Sequence, residues 1–240
     1  MSSTSAMIVA KAASLPGIKA GIARLRDVLN APSYRAAPEE PFASSVEDEN
    51  AVTEWPPGAR SVLVMGLHHA EDEPRLDWWD ERGSPGDLRL VELCESTAAW
   101  LRSEFRIDVL PLPYHVERGG IFLKDAAALA GLGIIGRNNL LLNPEWGPRI
   151  RFRALLIPGD LDPTGPLEGF SPCESCAQFC HLACPRDAFA TGSYHRPACI
   201  EQMNADTENL SPEGELREDG SPTWVIKYCR ACELACPIGT

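Results

Sequence analysis

The sequence predicts a mixed α+β protein of two domains, an α/β domain over residues 1–158 followed by a small cysteine-rich domain over 159–240. Three observations carry that division. Ser61-Val-Leu-Val-Met-Gly-Leu67 is an unbroken apolar run of strand length, while Leu90, Cys94, Ala98, Leu101 and Phe105 recur at helical spacing. Eight of the nine cysteines fall in the last 68 residues. With 240 residues and 44% hydrophobic content, the chain is long enough for one large or two modest domains with real cores.

In chain order, residues 4–14 predict a short helix. Ile18 to Leu25 is compatible with a strand or a second helix, because an apolar run this short does not fix its own period. From Pro32 to Arg60 the chain is rich in Pro, Ala, Ser and acid, and Pro56-Pro57-Gly58 closes it, which predicts a long surface connection. Ser61–Leu67 then reads as a buried central strand. Residues 70–87 hold seven acids with Trp78 and Trp79, an irregular excursion in which the tryptophans anchor the loop or stack on a flat ligand. The helical stripe that follows starts at Asp87 as N-cap, and Cys94 on it reads as a core thiol. Ile107–Leu112 is a second strand, and Leu123–Leu132 is an Ala-rich helix ended by Gly131 and Gly133. Asn139–Asn143 and Arg149–Ile157 bracket Pro144-Glu-Trp-Gly147, the chemistry of a hairpin turn. In its second arm Arg149, Arg151 and Arg153 alternate with apolar residues, which predicts a cationic face, either solvated or anion-binding.

Charge excludes some functions. Lys+Arg number 22 against 34 Asp+Glu, a formal charge of −12, so a general attraction to nucleic-acid phosphate or anionic lipid is disfavoured. Residues 38–96 hold 15 acids and 4 bases, whereas 106–158 hold 7 bases and 4 acids and form the candidate binding face. No stretch approaches the roughly 18 apolar residues of a membrane span. No secretory signal is evident, which predicts a cytoplasmic protein; the acid-free first 26 residues, with four bases, leave an organelle transit peptide as the alternative.

Cysteines in a reducing compartment stay free for metals. Cys173-x2-Cys176-x3-Cys180-x3-Cys184-Pro185 is one residue longer than the bacterial ferredoxin run, and Cys229-x2-Cys232-x3-Cys236-Pro237 reproduces the last three positions of that run. In two-cluster ferredoxins the Pro-linked cysteine crosses to the other cluster. Applied here, Cys173, Cys176, Cys180 and Cys236 hold one [4Fe-4S] cluster, while Cys184, Cys199, Cys229 and Cys232 hold the second. Paired four-cysteine zinc sites are the rival, but zinc does not require the Cys-Pro ending twice. His181, His195 and Trp224 are expected to pack or lie at the surface.

The segment from Leu123 through Ala130-Gly-Leu-Gly-Ile-Ile-Gly136-Arg-Asn-Asn139 to Asn143, with Pro144-Glu-Trp-Gly-Pro-Arg149 after it, resembles the central block of the epoxyqueuosine reductases. The two Cys-Pro runs and Cys199-Ile-Glu resemble their ferredoxin-like part, so the likeness covers about residues 61–240. It implies a nitroreductase-like, cobalamin-type α/β domain followed by a bacterial-ferredoxin-like two-cluster domain. It also implies relatedness to corrinoid-dependent reductive dehalogenases, and reduction of an epoxide with cobalamin and two [4Fe-4S] clusters. A corrin pocket is then expected at Gly131, Gly133, Gly136, Asn138, Asn139 and Arg149. The family's Asp-Thr-x-Pro block is absent. Counting back from Ala130-Gly-Leu-Gly133 puts Glu117 at its acid, in Tyr114-His115-Val-Glu117, making these three the catalytic candidates.

The expected activity is low-potential reduction of a small or medium organic substrate, fed by an external donor of ferredoxin or flavodoxin type. The alternative is a non-enzymatic electron-transfer partner of another redox protein. The acidic balance, and a chain stopping four residues after Cys236 where tRNA-modifying members extend, argue against tRNA as a partner.

Overall fold

The computed structural model describes residues 2–36, 52–215 and 219–239. In chain order its first elements are α1 (Ser3–Ala12), β1 (Ile18–Arg24), α2 (Leu25–Leu29), α3 (Pro32–Ala36), β2 (Ala59–His68), β3 (Trp78–Trp79), α4 (Pro85–Phe105) and β4 (Leu110–Pro111). There follow α5 (Leu123–Leu129), β5 (Ile134–Ile135), β6 (Leu141–Leu142), β7 (Ile150–Pro158), α6 (Phe179–Leu182), α7 (Arg196–Glu208), β8 (Ile226–Lys227) and α8 (Ala231–Leu234). The fold is mixed α and β, and no described helix is long and apolar enough to cross a membrane. Residues 37–51, most of the connection expected over Pro32–Arg60, lie outside the described residues.

Two compact units form, each from separate stretches: residues 1–67, 90–133 and 152–169 make one, and 68–89, 134–151 and 170–240 the other. The sequence reading assigned 68–89 and 134–151 to the first domain, whereas the structure gathers them with 170–240.

The first unit is organised by a sheet in the order β1-β2-β7-β4. The segment that sequence left between strand and helix is strand: β1 runs antiparallel to β2 from Ile18 opposite Leu67 to Arg24 opposite Ser61. Burial decides this, because Ile18, Ile22 and Ala23 are covered along with every residue of β2 from Ser61 to Leu67. The stripe of α4, Leu90, Leu93, Cys94, Ala98 and Leu101, packs with Met65, Leu67, Leu155 and Ile157 in one core. Each such buried leucine contributes ~1.5–3 kcal/mol. Strand β4 covers only Leu110–Pro111 of the expected Ile107–Leu112, and Leu112 still donates to Ala154 at 2.9 Å.

Two local expectations are corrected. Helix α4 begins at Pro85, with the Ser84 hydroxyl accepting the Asp87 amide at 3.2 Å, so Asp87 stands in the first turn and is not the cap. The arm ending at Asn143 does not pair with β7. Instead β6 pairs with β5, and Pro144–Gly147 is a tight turn closed by reciprocal Asn143 and Gly147 backbone bonds of 2.8 Å.

In the second unit, β3 pairs with β8, Trp78 opposite Lys227 and Trp79 opposite Ile226. The Lys227 ammonium lies 4.2 Å from the Trp78 ring centre and Trp79 meets Tyr228 edge-on at 6.2 Å, so both tryptophans anchor their loop.

Candidate functional site

All eight clustered cysteines belong to the second unit and are free thiols. Cys173, Cys176, Cys180 and Cys236 line one cavity with Pro172, Pro237, Ile238, Asn138 and Leu142. Short elements place them: Cys180 sits in the first turn of α6, and Cys236 follows α8 at the Cys-Pro ending. Burial raises the Cys180 thiol above its ordinary range, and the charges of Cys236, Cys176 and Cys173 raise it further. Cys236 is likewise raised by burial and by Cys173 and Cys176, against the opposing pull of Arg149.

The other four thiols also feel one another. Burial and the charges of Asp206, Cys199 and Cys184 raise Cys229, while burial, Cys229 and Cys199 push Cys232 up to about 12. Tyr194 is raised by burial and by its hydrogen bond with Cys199. The Cys184 sulfur accepts the Ala188 amide at 3.3 Å, and the Cys229 amide donates to Asp206 Oδ2 at 2.7 Å. Cys173, Cys176, Cys180 and Cys236, which share one cavity lining, have the donor chemistry of an iron–sulfur site. Among the described residues no group of three or more His, Cys, Asp or Glu is placed to hold a single metal ion. His181 stacks on Phe189 at 4.4 Å.

The turn at Pro144–Gly147 supports the first set. Gly147, at φ 56°, lies so close to the Ile238 carbonyl that a side chain there would collide with it. Arg149, 2% exposed, donates to the Cys236 carbonyl at 3.5 Å and to that of Ile238 at 3.3 Å. Arg151 pairs with Asp77 and Glu233, and the Arg153 guanidinium covers the Tyr114 ring at 5.0 Å. The predicted cationic face is thus spent on internal partners.

Of the residues expected at a corrin, Gly131 and Gly133 lie in the first unit, and Gly136, Asn138, Asn139 and Arg149 in the second. A side chain at Gly131 would press on Gly165 and Thr164, and one at Gly136 on Leu142, so protein already uses that space. Asn138 accepts the Leu140 amide at 3.2 Å and donates to the Cys232 carbonyl at 3.5 Å, and Asn139 takes a left-handed φ of 57°. Tyr114, His115 and Glu117 come together in the first unit. Glu117 Oε1 is 3.4 Å from His115 Nδ1, and the Tyr114 and His115 rings meet edge-on at 5.4 Å. Sequence reasoning missed Asp77, Asp206 and Glu233, which brace the second cysteine run; the placing of Arg230 and Glu233 beside Cys229 and Cys232 was the available signal.

No family model matches the chain. An epoxyqueuosine reductase of Lactococcus garvieae is 31% identical over 194 residues, covering 75% of this chain and 52% of the relative. One of Gloeobacter violaceus is 26% identical over 201 residues, 75% of this chain and 57% of the relative. The chain spans about half the length of these curated relatives. Among solved structures, epoxyqueuosine reductase from Bacillus subtilis aligns with a TM-score of 0.63 at 18% identity over 98% of this chain and 65% of its own. Epoxyqueuosine reductase with an epoxyqueuosine-modified tRNA-Tyr stem loop aligns at 0.63 and 20% identity over 98% of this chain and 64% of its own. A catabolic reductive dehalogenase aligns at 0.62 and 19% identity over 97% and 31%.

These findings overturn the expectation against tRNA, since the curated relatives are epoxyqueuosine reductases and one structure of that enzyme holds a tRNA stem loop. Net charge was the wrong measure. It sums acids far from any contact, and at physiological salt charges beyond about 8 Å are largely screened.

Proposed function

From an epoxyqueuosine reductase-like chain, we propose an iron–sulfur oxidoreductase in which two [4Fe-4S] clusters feed a cobalamin-dependent reduction of an epoxide-bearing nucleoside carried on tRNA. The observation that carries this is the ring of Cys173, Cys176, Cys180 and Cys236 around one cavity, in a chain whose relatives carry that activity by name. Cys184, Cys199, Cys229 and Cys232 take the second cluster. The unit of residues 68–89, 134–151 and 170–240 is the electron-carrying part, and the unit of 1–67, 90–133 and 152–169 the nitroreductase-like part.

Removing an epoxide oxygen as water consumes a pair of electrons and a pair of protons, so single-electron carriers and an acid are both needed. Cobalamin, when bound, supplies a low-potential cobalt centre for that reduction. Support for cobalamin is the resemblance over residues 61–240, together with a fold neighbour described in terms of B12-dependent dehalogenation, with a TM-score of 0.51. Glu117 is the proposed acid: its carboxyl holds the proton that leaves with the oxygen, His115 at 3.4 Å replenishes it, and Tyr114 braces the imidazole.

The test is anaerobic reconstitution with iron, sulfide and cobalamin, then a low-potential reductant and epoxyqueuosine-containing tRNA, with the digested nucleosides read out. Loss of the epoxide is expected, slowed on the order of 100-fold or more in Glu117→Gln at unchanged iron content. Unaltered nucleoside with cobalamin bound would contradict the reading.

A further inference from the structure

The second unit buries a charge network that the proposed chemistry does not use. Asp77 ends the short 3-10 turn Pro74–Asp77 with only 12% of its side chain exposed. Its Oδ1 lies 2.9 Å from His69 Nδ1 and 2.9 Å from Arg151 Nη2, and its Oδ2 lies 2.7 Å from Arg230 Nη1. The same two arginines meet on Glu233, whose side chain is 4% exposed: Arg151 Nη2 is 2.7 Å from Oε2, and Arg230 Nε donates to Oε1 at 3.1 Å. Arg230 also donates to the His69 carbonyl at 3.3 Å.

Two carboxylates and two guanidiniums therefore meet in one network, with Asp77, Glu233 and Arg230 largely buried and Arg151 at its partly exposed edge. Such a network gains little over apolar packing of the same volume, while removal of any one member strands its partners, so its use lies in fixing geometry and charge. The geometry it fixes is that of Cys229-Arg230-Ala231-Cys232-Glu233, in which Arg230 stands between two thiols and Glu233 directly follows the second. From outside the network, Asp206 fixes the Cys229 amide.

We propose that Asp77 is a positioning residue for the second cysteine set, holding the Cys229–Glu233 turn through Arg230 and Arg151 and setting the charge its cluster senses. This rests on Cys229 and Cys232 being cluster ligands, as in the proposed function. Reduction adds one negative charge to a cluster, and a nearby unscreened charge acts strongly on that step. Asp77→Asn leaves guanidinium charge in excess and raises the second cluster's reduction potential. Arg230→Gln leaves carboxylate charge in excess and lowers it.

The experiment is an EPR-monitored redox titration of the full, iron-loaded chain, with iron counted in every variant. Opposite shifts in Asp77→Asn and Arg230→Gln, with Asp77→Glu returning toward the unmutated value, are expected. Where Arg230→Gln loses iron, Arg151→Gln replaces it and should also lower the potential. Shifts of one sign in all variants, or none, in a protein that holds both clusters overturn the proposal. An unmutated protein that takes up no iron after reconstitution overturns the proposed function, and this inference with it.

Discussion

The buried guanidinium of Arg149 donates to the carbonyl of Cys236 at 3.5 Å, tying the residue just before β7 to the last cysteine of the second run. Its other terminal nitrogen reaches the Ile238 carbonyl at 3.3 Å, and Glu71 lies 3.4 Å from its Nε.

Arg149→Met should leave those two carbonyls and Glu71 without their cation. A cost of about 2–4 kcal/mol is expected, with preferential loss of the cluster held by Cys236. Anaerobic denaturant unfolding of the loaded protein checks this, and an unchanged midpoint would count against it.

Cys199→Ser should abolish one EPR-active cluster and leave the other, since Cys199 neighbours Cys229 and Cys232 while the first cavity is lined by Cys173, Cys176, Cys180 and Cys236. Cys173→Ser should remove the complementary signal. If both variants erased the same signal, the crossed assignment would have to be redrawn.

Cys94→Ser is expected to leave iron content untouched and cost about 1–2 kcal/mol, because the thiol is 3% exposed on the core stripe of α4 and a hydroxyl costs more than a thiol to bury there. Iron analysis beside a melting curve separates the two effects. A bleached cluster would implicate Cys94 as a ligand.

The two cysteine runs were legible because ligand spacing is a local property, and so was the central strand Ser61–Leu67, whose composition leaves it no exposed face. The fate of Arg149, Arg151 and Arg153 was not. Alternation along a strand shows which side chains share a face but not what covers that face, and here Asp77, Glu233, Tyr114 and two carbonyls do. The hairpin expected between Asn139 and Ile157 failed for a related reason: Pro144–Gly147 has turn chemistry, yet pairing is decided by the longer ladder that β7 shares with β2 and β4.

Asp77 gives the chain a defined acid sensitivity. Burial alone would raise its carboxyl, but His69, 2.9 Å away, and the charges of Arg151 and Arg230 outweigh burial and hold it below the usual carboxylate range. A depressed folded-state value means stabilisation that is fully present above the unfolded value, about 3.9, and lost as pH falls through the folded one. Stability of the unmutated protein should therefore drop on acidification below about pH 4 by more than that of Asp77→Asn, measured by unfolding against pH. Parallel curves would show that Asp77 gains nothing from its partners.

Iron and acid-labile sulfide per chain, counted after anaerobic purification, test the central claim most directly. Two cubanes on eight cysteines predict about eight of each. Near-stoichiometric zinc with little iron would contradict it.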